Sequence, residues 1–523
     1  MKEKNINDIE NHPSADRYAD AVNEAVWTES SGDFSLPDYM PQIAKMLKVE
    51  ARIIPSGKYI GSDRAEFSGS VVYSVLYTGE DGVPSYTNLS SDYEYSVPLG
   101  AAADCDEVEI YDEPTIESTT VRPSGPRKIS IRSRIKSLPH VIYKKPQQRA
   151  ELYDEENIEY QKLRDVRNVM HNGHFESGEF ELEDVFKLEG SPDAEPVGCE
   201  GSVCISEVTP TFDGVMCRGE LEYRVLYFDI EAGRRSLFSS KRKLRFEKEI
   251  AVGHMADNTF ARAYGRIVSA DISSAEDSSD ISLSVIVNIC GEYMFERKEV
   301  FVKDVYSCNC NCNVEYTEQE YKRAVLCKNL NFSYHAQKKL SEEGTASGEV
   351  CCCFGNATIE SAQIKDGRAY ISGEINADCI VCAPTDDSAS YSNVTVSIPF
   401  KSETEVMCSA ERYEVRCMPE VSGIRARVEK DGITVDAELF MSLYIQGTDS
   451  IRTVRSVSTN GDMKKGMSDC VTIYYPDKGE SLWSVGKKYG ISIESLSAIN
   501  GVSSENSDSA DSLSGLYSMI IKQ

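Results

Sequence analysis

The stretch Ser68-Gly69-Ser70-Val71-Val72-Tyr73-Ser74-Val75-Leu76-Tyr77 returns twice in the chain. It comes back as Arg218-Gly219-Glu220-Leu221-Glu222-Tyr223-Arg224-Val225-Leu226-Tyr227 and again as Ser372-Gly373-Glu374-Ile375-Asn376-Ala377-Asp378-Cys379-Ile380-Val381. Aligned on Gly69, Gly219 and Gly373, the copies stand 150 and 154 residues apart. Val71, Tyr73, Val75 and Tyr77 alternate onto one face, as do Leu221, Tyr223, Val225 and Tyr227, and Ile375, Ala377, Cys379 and Val381. Alternation with a period of two is the mark of a pleated strand with one buried side. The glycine that leads each copy suits a bend or a close backbone approach.

A second strand repeats further on. Ile129, Ile131, Ser133 and Ile135 correspond to Ile281, Leu283, Val285 and Val287, and then to Ile433, Val435, Ala437 and Leu439, each step being 152 residues. The opposite face carries Lys128, Ser130, Arg132 and Arg134 in the first copy and Thr434, Asp436 and Glu438 in the third. One wet and one dry face is the pattern of antiparallel sheet. Pro37-Asp38-x-x-Pro41 recurs as Pro192-Asp193-x-x-Pro196 ahead of the first strand, and Val97-Pro98-Leu99 recurs as Ile398-Pro399-Phe400.

Several short strands per copy, punctuated by Gly, Ser, Asp and Pro, predict β-sandwich or barrel-like modules of roughly 110–130 residues. A period near 150 is too long for a solenoid or propeller, so these are tandem domains. The expected division is a polar segment at 1–29, modules at 30–146, 181–300 and 330–447, connectors at 147–180 and 301–329, a linker at 448–469 and a small domain at 470–523. Glu156 to Met170, with Ile158, Leu163, Val166, Val169 and Met170, reads as a short amphipathic helix, and Thr317 to Lys328 as another. The fold class is thus mainly β and multi-domain: three tandem sandwich-like modules with short helical connectors, then a βααβ unit.

That unit begins with the strand Val471-Thr472-Ile473-Tyr474-Tyr475. Ser481 caps a helix whose apolar face is Leu482, Val485 and Tyr489, and Gly490 ends it. A second helix runs to Asn500-Gly501, and Ser518 to Lys522 is the last strand. From Tyr475 to Asn500 the chain resembles a LysM domain, through an aromatic-led strand, Gly-Glu-Ser-Leu-Trp, Tyr-Gly-Ile-Ser and Leu-x-x-Ile-Asn. The resemblance implies a shallow N-acetylglucosamine-binding groove between the first and last loops, involving Gly479, Glu480, Ser481, Leu482, Ile499 and Asn500. The loop from Ser503 to Gly515 departs from the family pattern, being long, Ser-rich and acidic, and Ile521-Lys522 replaces the usual Ile-Pro. The same fold also serves as a protein-docking module. In that role Leu482, Trp483 and Ile499 are the apolar candidates and Lys487 and Lys488 the polar rim, with Trp483 alternatively a core residue.

The Pro-Asp-x-x-Pro landmark ahead of a Gly-x-Val-x-Tyr-x-Val-Leu-Tyr strand resembles the SPOCS domain, also catalogued as DUF3794. Three such modules followed by one LysM domain resemble the architecture of spore-coat morphogenetic proteins. The resemblance implies a non-enzymatic assembly adaptor of the mother-cell cytoplasm. It would dock through its LysM domain onto the coat basement-layer ATPase at the forespore surface. The alternative is a peptidoglycan-binding LysM protein of the cortex or wall.

Charge and composition point the same way. Against 56 Lys and Arg stand 85 Asp and Glu, a net charge of −29, which repels phosphate backbones and argues against nucleic acid as a partner. The opening Met1-Lys2-Glu3-Lys4-Asn5 is polar and no apolar run has the length of a membrane span, so a cytoplasmic protein not integral to a membrane is expected. Among 17 cysteines, Cys308, Cys310 and Cys312 alternate as strand residues, Cys351-Cys352-Cys353 and Cys379-x-x-Cys382 follow, and Cys379 stands where Val75 and Val225 stand. Small buried hydrophobes are the expectation, with no metal and no cofactor. His171-Asn172-Gly173-His174 reads as a polar turn with surface histidines. No nucleophile elbow, zinc-protease helix, phosphate loop or dinucleotide fingerprint is present, and no catalytic residue repeats among the copies, so no enzymatic activity is expected.

Overall fold

The computed structural model describes residues 17–22, 24–105, 107–145, 160–188, 194–231, 234–253, 259–274, 280–339, 348–384, 389–407, 409–429, 432–463, 471–505, 507–513 and 516–522. The first module comprises β1 (Arg17–Asp20), β2 (Val26–Ser35), β3 (Ile43–Ile60), β4 (Arg64–Gly79), β5 (Pro84–Pro98), β6 (Val108–Asp112), β7 (Thr115–Gly125), β8 (Lys128–Ser137) and β9 (Pro139–Lys145). The second holds β10 (Tyr160–Lys187), β11 (Glu195–Pro210), β12 (Gly214–Glu231), β13 (Arg234–Ala251), β14 (Phe260–Ser274) and β15 (Asp280–Ser307). The third holds β16 (Cys310–Lys339), β17 (Glu349–Lys365), β18 (Arg368–Pro384), β19 (Ala389–Glu405), β20 (Arg412–Glu429) and β21 (Gly432–Met463). Last come β22 (Val471–Tyr474), α1 (Leu482–Tyr489), α2 (Ile493–Asn500) and β23 (Met519–Lys522).

Each module is a sandwich of two three-stranded antiparallel sheets, ordered β3-β4-β5 and β2-β8-β7, β11-β12-β13 and β10-β15-β14, β17-β18-β19 and β16-β21-β20. The two repeated strands are the central strands of facing sheets. Their dry faces meet: Val71, Tyr73 and Val75 pack with Ile129, Ile131 and Ile135. Leu221, Tyr223 and Val225 pack in one cluster with Leu283, Val285 and Val287. Ile375, Ala377 and Cys379 do the same with Val435, Ala437 and Leu439. Register repeats as well as order. Phe34 pairs with Ile129, Phe186 with Ile281 and Lys338 with Ile433, each pair displaced by 152 residues in both strands.

The repeated glycines lie within the strands, opposite a β-bulge in every copy. Pro55, Ile205 and Ile359 pair with Gly69, Gly219 and Gly373, and a register shift follows each of them. A Cβ on Gly69 would come 2.6 Å from the Ile54 carbonyl oxygen, and one on Gly219 would come 2.5 Å from that of Cys204. The bulge brings the neighbouring backbone too close for a side chain.

Two expectations are corrected. Residues 160–170 and 317–328 are strand, in β10 and β16; residues 156–159 lie outside the described chain. A helix would have placed Val166, Val169 and Met170 on one stripe. In β10, Val169 packs with Phe301, Tyr321 and Ile451, whereas Met170 packs on the other side with Met294 and Tyr444. Both faces are covered, so the apolar spacing mixes two faces and imitates a helical period. Likewise β21 runs on to Met463, through the stretch expected as linker, with Val454 and Val457 packed on Val305. The β10–β15 and β16–β21 ladders therefore extend beyond their sandwiches as long arms. In the first module the same arm is the separate sheet β1-β9-β6, set off from the sandwich by gaps at Glu113-Pro114 and at Leu138, next to Pro139.

The modules close into a ring. β5 lies against β11, β13 against β17, and β19 back against β3, so the third-strand edge of each module meets the first-strand edge of the next. This is the head-to-tail contact of a cyclic trimer, built within one chain. Leu76, Leu226 and Ile380, seven residues beyond the repeated glycines, meet in one cluster with Leu47, Phe228, Leu237, Cys352 and Tyr391. The arms converge on buried Glu292. It accepts hydrogen bonds from Arg262 of its own module at 2.8 and 3.0 Å, from Tyr111 of the first at 3.2 Å and from Arg416 of the third at 3.4 Å. Tyr111 is stacked between His140 and His174, with ring centroids 4.5 and 4.4 Å away. The His171–His174 segment is thus strand inside this junction, contrary to the surface turn expected. His171 is buried beside Glu299 at 3.0 Å.

Candidate LysM site

The last unit folds as its caps dictate. Ser481 and Ser484 form a reciprocal capping box: the Ser484 N–H donates to Ser481 Oγ at 3.2 Å and the Ser481 N–H to Ser484 Oγ at 2.9 Å. Gly490 and Gly501 end the two helices with φ of 66° and 67°. Leu482, Val485, Leu496, Met519 and Ile521 make the core between the helices and the β22–β23 pair.

This core does not stop at the domain edge. Tyr306, at the end of the β15 arm, belongs to the same buried cluster. Its hydroxyl donates to the Ile491 carbonyl at 2.6 Å, and its ring meets Trp483 edge-on at 4.8 Å. Asp304 is the polar centre of the seat. It accepts from the Trp483 indole N–H at 2.9 Å, from Lys487 at 2.6 Å and from the Tyr316 hydroxyl at 2.6 Å. Burial opposes the charged form of Asp304, but these three donors outweigh it and hold the carboxyl below the ordinary aspartate value. Gln161 accepts from the Ile493 N–H at 3.3 Å, and Lys303 pairs with Asp508 at 3.0 Å.

The candidate residues therefore divide. Leu482 is core and Ser481 a cap. Trp483 and Lys487 face the second module's arm, so that face is already occupied by the chain itself. Glu480 accepts from the Tyr474 hydroxyl at 2.7 and 2.8 Å, and Lys488 lies over the Tyr474 ring. Asn500 donates to the Ile520 carbonyl at 2.8 Å and accepts from the Ile520 N–H at 2.5 Å, tying α2 to the last strand. Gly479 sits at φ 95° in the first loop, and Ile499 is exposed. The long second loop folds onto the start of α1: the Leu482 N–H donates to Ser512 Oγ at 2.9 Å and the Trp483 N–H to the Ser507 carbonyl at 2.8 Å.

Sequence reasoning missed Asp304, Tyr306, Tyr316 and Gln161, which form the seat, and the pair Tyr475 and Tyr517. Those two rings, 59 % and 87 % exposed, meet edge-on at 5.6 Å where the first and last loops leave the sheet. Val471, Ile473 and Ile520 are exposed beside them on the outer face of the β22–β23 pair. Among the described residues no group of three or more His, Cys, Asp or Glu is placed to hold a metal ion, and no helix is long and apolar enough to cross a membrane.

The unit is thus two helices and two strands, with the ends of its first and last loops meeting at Tyr475 and Tyr517. Residues 477–506 match the family model of the LysM domain. Searches of curated proteins and of solved structures returned no match to the chain.

Proposed function

We propose that the chain is a non-enzymatic assembly adaptor of the SipL-like, spore-coat morphogenetic kind, with the LysM domain as its recognition head. The partner proposed is the coat basement-layer ATPase, met in the mother-cell cytoplasm at the forespore surface. The tandem modules' likeness to SPOCS domains supports this reading. The observation that carries it is the state of the LysM loops. The Leu482 and Trp483 N–H groups, at the start of α1 beside the first loop, are taken by Ser512 and Ser507 of the second loop. The domain also leaves apolar and aromatic side chains open, with Tyr475, Tyr517, Ile473, Ile499 and Ile520 exposed. Buried aromatic anchors of this type dominate protein interfaces.

Peptidoglycan binding is the second reading, favoured by the LysM match itself and by the Tyr475–Tyr517 pair at the loop ends. One experiment separates the two. The full chain and its Tyr475→Ala/Tyr517→Ala variant are immobilised and exposed to the purified coat ATPase, and in parallel sedimented with purified peptidoglycan. Retention of the ATPase by the parent and its loss in the variant, with sedimentation at background, supports the adaptor. Co-sedimentation with peptidoglycan and no retained ATPase overturns it in favour of the wall-binding reading.

A further inference from the structure

Two thiol pairs bridge the β17–β18 hairpin. Cys353 and Cys379 are ladder partners with sulfurs 3.2 Å apart, and both are sealed in the third module's core. Nearer the hairpin's open end, Cys351 and Cys382 form a second hydrogen-bonded pair. Cys351 sits at the bulge where the register shifts between Val350 and Cys352, so its backbone has no fixed ladder partner. Both members of this outer pair are only partly buried.

The outer pair also lies on a seam of the ring. The Cys351 carbonyl accepts from Ser239 of the second module at 2.6 Å. The Cys382 thiol is hydrogen-bonded to Tyr391, whose oxygen accepts the Leu237 N–H of the second module at 3.1 Å. Hydrogen bonding from Cys351 holds the Cys382 thiol down at about 7, so a thiolate is available near neutrality.

We propose that Cys351 and Cys382 are a redox modification site, closed to a disulfide by hydroperoxides, which fastens the β17–β18 hairpin at the seam between the second and third modules. The chemistry balances with hydrogen peroxide as oxidant. The Cys382 thiolate attacks one peroxide oxygen and the O–O bond breaks. The departing hydroxide takes the thiol proton as water, leaving a sulfenic acid. The Cys351 sulfur then displaces the sulfenic hydroxyl, which leaves as a second water, and the S–S bond forms. Two thiols are oxidised and one peroxide is reduced. The inner pair, with its sulfurs 3.2 Å apart, is closed to solvent, which makes it the internal control.

The test treats the reduced full chain with hydrogen peroxide, caps remaining thiols and digests with trypsin, which cuts between the strands at Lys365 and Arg368. A cross-link is expected between the peptide ending at Lys365 and the one ending at Lys401, with two thiols lost per chain. It is expected to persist in Cys379→Ala and to vanish in Cys382→Ala, each variant first shown to melt cooperatively when reduced. The oxidised parent is expected to melt higher than the reduced parent, and Cys382→Ala to show no such rise. Absence of the cross-linked peptide, its loss in Cys379→Ala with retention in Cys382→Ala, or a melting midpoint not raised by oxidation overturns the proposal.

Discussion

The Asp304 carboxylate of the second module's arm lies 2.9 Å from the Trp483 indole nitrogen and 2.6 Å from the Lys487 ammonium of the LysM domain. One acidic side chain thus fixes the first LysM helix to the sandwich ring. Replacing it should release the domain without unfolding it, since the LysM core residues Leu482, Val485 and Leu496 do not depend on it. Hydrogen bonds to a charged group contribute about 1.5–3 kcal/mol each, so Asp304→Asn is expected to weaken docking by a few kcal/mol. Red-shifted emission from Trp483, read in a Trp27→Phe background, is the measurement. Unchanged emission would mean that Tyr306, Gln161 and Lys303 hold the domain without Asp304.

The same contact predicts an acid effect. Asp304 has its pKa lowered in the fold, so its contribution is present above the ordinary aspartate value and is lost as pH falls through the depressed one. Trp483 emission should hold steady down to about pH 4 and shift only in stronger acid. In Asp304→Asn that acid transition should be missing.

Glu420 behaves oppositely. Burial raises its carboxyl to about 7, with the Cys204 hydrogen bond a smaller opposing influence. A raised carboxyl favours the fold fully below its unfolded value, and that advantage is lost as pH rises through about 7. The melting midpoint of the parent should therefore fall between pH 5 and pH 8, and Glu420→Gln should flatten that fall. A slope identical in parent and variant would show that Glu420 ionises without disturbing the contact between β11 and β20.

Glu292 is the junction of three modules, and removing its charge leaves the Arg262 and Arg416 guanidinium groups buried beside a neutral partner. Breaking one member of a buried ionic cluster costs about 3–5 kcal/mol. Glu292→Gln is expected to lower the denaturation midpoint by that order. Replacing Arg416 instead leaves Glu292 still bonded to Arg262, so its cost should be smaller. Equal costs would contradict the geometry.

At the ring axis, Leu226 is fully buried among residues of all three modules. Leu226→Ala should cost about 2–5 kcal/mol. Leu226→Asp should open the ring, seen as a larger radius of gyration by small-angle scattering. An unchanged radius for the aspartate variant would remove the axial cluster as the element that closes the ring.

The sandwich cores were legible because each repeated strand has one dry face. Ile129, Ile281 and Ile433 announce it by alternation, and Cys379 was readable as a buried residue from the valines it replaces. The LysM unit was legible because caps are local: Ser481 and Gly490 act on their own helix. The arms were not. Val169 and Met170 bury on opposite faces of β10, and a strand covered on both sides carries no period of two. The docking seat left still less trace, because Asp304 and Trp483 stand 179 residues apart and each is unremarkable in its own segment.

Ring closure also changes what shortening the chain can teach. The modules are not beads that slide off a string one at a time, because the third returns to the first through Lys45, which donates to the Tyr391 carbonyl, and Asn393, which donates to that of Leu47. A fragment lacking any one module bares two raw edges and half of an oily axle. Its stickiness belongs to the wound rather than to a recognition surface, so partners captured by such fragments report the missing neighbour first.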